Sequence, residues 1–136
     1  LYPRIQKHQA NGNWTFLGNL DPQEMARFYP NLDVLVLPSL NSTEAFGLVQ
    51  IEAMINGTPS IASNLPGVRQ PVIRHEMGKV VPIGDAAGLA EALLEVLANK
   101  QVYLRDAEPI RRRYLPDSIA VEYENLFAEM LRELKR

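Results

Sequence analysis

The chain has 136 residues, enough for one domain that buries about two-thirds of its unfolded surface. Hydrophobic residues at 46% and charged residues at 22% exclude a disordered chain, and a formal net charge of −2 argues against a broad electrostatic footprint for nucleic acid. With no cysteine in the sequence, disulfides, thiol nucleophiles and thiolate metal sites are excluded.

The N-terminal residues Leu1-Tyr2-Pro3-Arg4 carry neither the basic nor the apolar region of a secretory signal. They also lack an initiator Met, so the chain reads as a piece of a longer protein. Trp14-Thr15-Phe16-Leu17, closed by Gly18-Asn19, predicts a strand and a turn. Asp21-Pro22 places a capping residue before a proline at the first helical position, and that helix is expected to run to about Tyr29 and stop at Pro30. The apolar, non-alternating run Asp33 to Leu37 suits a central strand covered on both faces, and Pro38 ends it. The run Val34-Leu35-Val36-Leu37 is also the longest strongly apolar stretch, far below the roughly 18 residues that span a bilayer.

After a polar loop from Ser39 to Glu44, residues 47–56 read as a helix closed by Gly57. Pro59 to Ser63 reads as the next strand, Leu65-Pro66-Gly67 as a turn, Val68 to His75 as a short helix and Gly78 to Pro82 as a further strand. Ala87 to Asn99 is strongly helical, with leucines at 89, 93, 94 and 97, and helices are also expected over 101–113 and 117–135. Strand and helix thus alternate over residues 14–99. The expected fold class is α/β, a Rossmann-like parallel sheet flanked by helices, in a single partial domain with a core over 13–99 and terminal helices over 100–136.

Ligands of open α/β sheets sit outside the carboxyl ends of the strands, often at a helix N-terminus. The segment after Leu37 is the strongest candidate. Ala45 and Phe46 cannot cap the following helix with a side chain and Gly47 has none, so the amides of Leu48, Val49 and Gln50 are expected to lack an internal partner. Two readings stand side by side: an anion held by those amides and the helix dipole, or Thr43 or Glu44 folding back to cap them. Glu52 has apolar neighbours nearly all round (Leu48, Val49, Ile51, Ala53, Met54 and Ile55), which predicts a largely buried carboxylate in need of a partner. A sugar diol would satisfy it. A salt bridge or a solvent-facing position would also do so. Glu44 lies at the mouth of the helix and Glu52 about 8 Å deeper along its axis. A phosphate between them would have a sugar on each side, the shape of a nucleotide diphosphate sugar.

The string Pro38-Ser39…Glu44-Ala45-Phe46-Gly47-Leu48…Glu52-Ala53-Met54…Gly57-Thr58-Pro59 resembles the retaining glycosyltransferases of GT-B fold in the large family-four group. The resemblance extends to Phe16-Leu17-Gly18 and Asp33-Val34 upstream, and to Gly78 through Pro82 and Gly84-Asp85 downstream. It implies the C-terminal, donor-binding half of such an enzyme. Glu44, the catalytic candidate, would hold hydroxyls of the transferred sugar, assisted by amides around Phe46 and Gly47. The amides of Leu48 and Val49 would contact the diphosphate, Glu52 the ribose hydroxyls, and Gly18, Asn19 and Leu20 would lie near the base.

The resemblance further implies no cofactor and no essential metal, since the leaving diphosphate is stabilised by amides and positive charge. That charge normally comes from an Arg and a Lys in an earlier segment, and neither Arg4 nor Lys7 is assigned the role. The implied partners are a nucleotide-sugar donor and an N-terminal acceptor domain, with no nucleic acid. The expected location is the cytoplasm, with membrane association open for the longer parent. The fragment alone is expected to be inactive, and to self-associate through an unpaired sheet edge or the last helix, where Leu126, Met130 and Leu131 form an apolar face. The alternative is a non-catalytic assembly module built on the same half domain. A sugar epimerase or phosphorylase on a similar sheet is a further reading, in which the whole string is not expected.

Among the other polar and aromatic residues, His75 reads as structural or surface and Arg69 as either cleft-facing or surface. Arg111 to Arg113 read as a solvated helix face. Tyr103, Tyr114, Tyr123 and Phe127 read as packing residues of the terminal helices.

Overall fold

A computed structural model describes residues 5, 6, 8 and 11–134. Three parallel strands form its sheet in the order β1 (Leu35–Leu37), β2 (Ser60–Ser63) and β3 (Gly78–Val81). Leu35 pairs with Ser60 and Leu37 with Ala62, while Ser60 pairs with Gly78 and Ser63 with Val81. Parallel neighbours need crossovers. Helix α2 (Leu48–Met54) connects β1 to β2, and α3 (Gln70–His75) connects β2 to β3. Before β1 come α1 (Pro22–Phe28) and a 3₁₀ turn at Tyr29–Asn31. After β3 come α4 (Ala86–Ala98), a 3₁₀ turn at Lys100–Tyr103, α5 (Ala107–Arg113) and α6 (Pro116–Glu133).

The central strand explains the two-sided core. Every residue of β2 is buried, and successive side chains point to opposite faces. Ala62 joins Ile51 and Met54 of α2, Val68 and Val72 around α3, Met77 and Ile110 of α5. Ile61 faces the other way, onto Val81 and the α4 residues Ala92 and Val96. Burying a side chain such as Ile61 contributes roughly 1.5–3 kcal/mol. The apolar run at β1 and the leucine spacing of α4 are the sequence features that build these two faces.

Helix α1 starts as its sequence demands. Asp21 accepts from the amides of Gln23 and Glu24, both at 2.8 Å, and Glu24 accepts from the Asp21 amide at 2.8 Å. This reciprocal capping box, with Pro22 next, fixes the entry to the helix. Pro30 removes a backbone donor, and the chain tightens into the 3₁₀ turn that carries Tyr29.

Four expectations are corrected. Strand β1 is a half-buried edge strand and not a central one, because among the described residues only β2 has a strand on each side. Residues 14–20 form no strand, and Trp14, Phe16 and Leu17 are exposed. A β-prone run becomes a strand only where a neighbour completes its ladder, and neither edge of this sheet pairs with it. The helix expected over 101–113 is divided, because the 3₁₀ turn ends at Tyr103 and Asp106 starts a new helix by accepting from the Glu108 amide. Glu52 is exposed, not buried. Helix α2 packs Gln50, Ile51, Ala53 and Met54 inward and leaves Glu52 on its outer side.

Candidate functional site

The loop from Pro38 to Gly47 leaves the carboxyl end of β1 and delivers the chain to α2. Gly47 makes the junction possible. It sits in the left-handed region at φ 80°, and a Cβ there would meet the Leu37 side chain at 2.5 Å and the Gln50 amide group at 2.6 Å. Glu44 folds back within this loop. Its Oε1 accepts from the Gly47 amide at 2.9 Å and from the Phe46 amide at 3.4 Å. Thr43 bonds Asn41 instead, so neither residue caps the first turn of α2.

The Gln50 amide donates to the Gly47 carbonyl at 3.0 Å, which corrects the expectation that it lacks an internal partner. For Leu48 and Val49 no side chain among the described residues accepts from the amides, and both residues are exposed.

Glu52 lies further along α2. Its Oε2 accepts a hydrogen bond of 2.5 Å from the hydroxyl of Tyr29. No salt bridge to Glu52 forms among the described residues. The two carboxylates therefore share a design. Each is anchored through one oxygen, Glu44 on loop amides and Glu52 on a phenol, and the other oxygen of each accepts no hydrogen bond among the described residues. Such oxygens accept hydroxyl donors without first shedding an internal partner.

A cavity of about 390 Å³ opens beside Glu52, between α1 and α2, lined by Leu20, Pro22, Met25, Tyr29, Glu52 and Asn56 among others. It brings Leu20 together with Glu52, whereas Gly18 and Asn19 are exposed and do not line it. A second cavity of about 200 Å³ lies at the carboxyl ends of all three strands, among Pro38, Ser63, Pro82 and Asp85. Burial, followed by the bond to Glu52 and its charge, pushes the Tyr29 hydroxyl far above its ordinary titration range, so it remains a donor. Among the described residues no three His, Cys, Asp or Glu side chains cluster as a metal site would require. Arg4 and Lys7 lie outside the described residues.

Sequence reasoning missed two residues here. Tyr29 carries no motif signal, and its role emerges only from the packing of the 3₁₀ turn against α2. Gln50 is fully buried and ties three segments together. Its Nε2 donates to the Val68 carbonyl at 2.8 Å and the Phe46 carbonyl at 3.4 Å, while its Oε1 accepts from the Ser60 hydroxyl at 3.2 Å. A glutamine within an otherwise apolar helix face was the available clue.

The remaining candidates are structural. His75 bonds the Tyr114 hydroxyl at 3.0 Å, and Arg69 donates to Asn64 at 2.8 Å. Arg112 pairs with Glu108 at 2.7 Å and Arg113 with Glu122 at 3.3 Å, on solvated surfaces. Tyr103 and Tyr114 pack against the two core clusters. Tyr123 and Phe127 do not pack as expected: they contact each other at 5.9 Å between ring centres but stay exposed on α6.

The profile of the family described as "Glycosyl transferases group 1" matches residues 1–113, which takes in the whole sheet, both carboxylates and the loop between them. The chain belongs to this family. A phosphatidyl-myo-inositol mannosyltransferase of Mycobacterium leprae is 40% identical over 101 residues, covering 71% of this chain and 27% of the relative. A glycogen synthase of Mycobacterium tuberculosis is 36% identical over 117 residues, covering 86% of this chain and 28% of the relative. Among solved structures, a sucrose-phosphate synthase from Thermosynechococcus elongatus aligns with a TM-score of 0.74 at 33% identity, over 97% of this chain and 34% of the other. The α/β fold expected from the sequence is thus the fold found, and the chain spans about a quarter to a third of the length of these proteins. Among the described residues no helix is long and apolar enough to cross a membrane.

Proposed function

We propose that this chain is the nucleotide-sugar donor-binding portion of a retaining glycosyltransferase. It would present a hexose-type sugar to an acceptor held by a separate N-terminal domain. In this reading Glu44 takes hydroxyls of the transferred sugar, assisted by the loop at Phe46 and Gly47. The amides of Leu48 and Val49 meet the diphosphate, Glu52 takes the ribose diol, and Leu20, with Gly18 and Asn19 nearby, borders the base. Transfer needs no essential metal. The departing diphosphate is stabilised by amides and by positive charge supplied from elsewhere in the parent protein, so the chain alone does not turn over. In this reading the parent works in the cytoplasm, either free or at a membrane surface.

One observation carries the reading. Two singly anchored carboxylates bracket a helix start whose Leu48 and Val49 amides have no side-chain acceptor among the described residues, within a group 1 sequence. A ligand-observed NMR titration with UDP-, GDP- and ADP-sugars tests it, on the chain and on Glu52→Ala. Saturable binding that weakens in the variant supports the donor site and identifies the base. Absence of binding at millimolar ligand, for this chain and for a version extended upstream, removes it. That result would favour the second reading, a non-catalytic assembly module, which the exposed apolar face of α6 supports.

A further inference from the structure

The hydroxyl of Tyr29 meets Glu52 at 2.5 Å, within the range of a charge-assisted O–H···O⁻ bond. The two partners differ sharply in freedom. Glu52 is an exposed side chain on the outer side of α2, where nothing else among the described residues fixes its carboxylate. Tyr29 is 3% exposed, and its backbone is held by Pro30 next to it and by the Thr58 hydroxyl, which donates to the Tyr29 carbonyl at 2.8 Å. A fixed phenol therefore grips a free carboxylate at the wall of the 390 Å³ cavity, which both residues line.

We propose that Tyr29 is a positioning residue that aims Glu52 at a vicinal diol in that cavity. The inference rests on the donor-site reading of Glu52. A loose glutamate would lose side-chain freedom on gripping two hydroxyls, and that loss opposes binding. Held at Oε2 by Tyr29, Glu52 has already given up that freedom, and Oε1 stays free to accept. A tyrosine hydroxyl is protonated near neutral pH at its ordinary value already, and burial beside Glu52 raises it further, so it stays a donor to Oε2. Tyr29 touches no reacting atom in this arrangement. It acts through Glu52.

The test compares UDP, GDP and ADP with their 2′,3′-dideoxy counterparts, titrated by calorimetry into the full chain, Tyr29→Phe and Glu52→Gln. The wild type is expected to bind one ribonucleotide about tenfold more tightly than its dideoxy form, as befits hydrogen bonds to a charged group. Tyr29→Phe preserves the ring and its packing. It is expected to collapse that preference to about twofold, chiefly by weakening the ribonucleotide, whereas general loosening of the fold would weaken both forms alike and keep the ratio. If Glu52→Gln abolishes the preference and Tyr29→Phe leaves it intact, the positioning role is overturned and the donor-site reading stands. If the wild type binds without preference, or binds none of the nucleotides even in the version extended upstream, the diol assignment of Glu52 fails and the role of Tyr29 falls with it.

Discussion

Gly67 lies so close to the carbonyl oxygen of Ala45 that a Cβ built on it would fall well inside that oxygen's van der Waals surface. The turn after β2 thus braces the loop between Glu44 and Gly47 from behind. The obstructing atom is backbone, so it cannot swing away like a flexible side chain. Gly67→Ala is expected to cost about 1–3 kcal/mol, the usual range for overpacking. It should also move the amide resonances of residues 44–48. Denaturant melts and amide spectra check both, and an unchanged midpoint with unmoved loop signals would show that the two segments do not bear on each other.

Gln50 makes a second brace. Its side chain joins α2 to the Val68 carbonyl, to Ser60 in the central strand and to the Phe46 carbonyl, all in a fully buried position. Gln50→Ala would leave those groups without partners and open a cavity, with an expected loss of about 2–4 kcal/mol. Gln50→Glu has nearly the same shape but sets an acceptor against the Val68 carbonyl. Its stability relative to wild type should therefore improve as pH falls and the new carboxyl gains a proton to donate. A pH series of denaturation midpoints reads this directly, and a pH-independent gap would contradict it.

How legible all this is in the sequence depends on whether the signal is local. The cap at Asp21 and the ends of β2, β3 and α4 are readable because a cap, a proline or an apolar run specifies them within a few residues, whereas the return bond from Glu24 is seen only in the structure. Trp14 to Leu17 carries the same local signal as a strand and is not one, because a strand also needs a neighbour. Glu52 was readable as an isolated carboxylate on an apolar helix, but its exposure was not, since helix periodicity does not say which neighbours remain uncovered. Its partner Tyr29 lies 23 positions away. Gln50 shows the same limit, because it meets Val68 and Ser60 only through the tertiary fold.

His75 predicts a pH dependence. Burial, and then the charges of Arg74 and Arg113, hold its imidazole below the ordinary value of 6.5. Its Nε2 meets the Tyr114 hydroxyl, and the Tyr114 ring stands 6.2 Å from that of Phe46. Glu76 follows in sequence and faces Arg105 at 3.7 Å. The unfolded chain takes up this proton near 6.5, while the folded chain takes it up only at lower pH. The unfolded state therefore holds more protons in that interval, and stability falls as pH drops through it. Above 6.5 both forms are neutral and the full stability is present. His75→Gln should flatten the dependence between 6.5 and the lowered value, measured as urea midpoints against pH. If the variant keeps the wild-type slope, other groups set it.

Helix α6 makes the last prediction. It is tied down near its start, where the Ser118 hydroxyl donates to the Arg112 carbonyl at 2.7 Å and Arg113 pairs with Glu122 at 3.3 Å. None of its residues is buried, and Tyr123, Leu126, Phe127, Met130 and Leu131 leave it with an apolar stripe in water. The spacing of those residues is that of one helix face, and a stripe of this kind gains free energy by meeting another. Self-association through α6 is expected to strengthen with concentration and to be read by sedimentation velocity. Phe127→Lys with Leu131→Glu should weaken it at least about tenfold, since the pair removes two large apolar contacts from any such interface. Association that survives the double variant would point to the free edge of β1, where the backbone groups facing away from β2 have no strand partner among the described residues. A wild-type chain that stays monomeric at the highest attainable concentration would mean that neither surface is adhesive enough to bring two copies together.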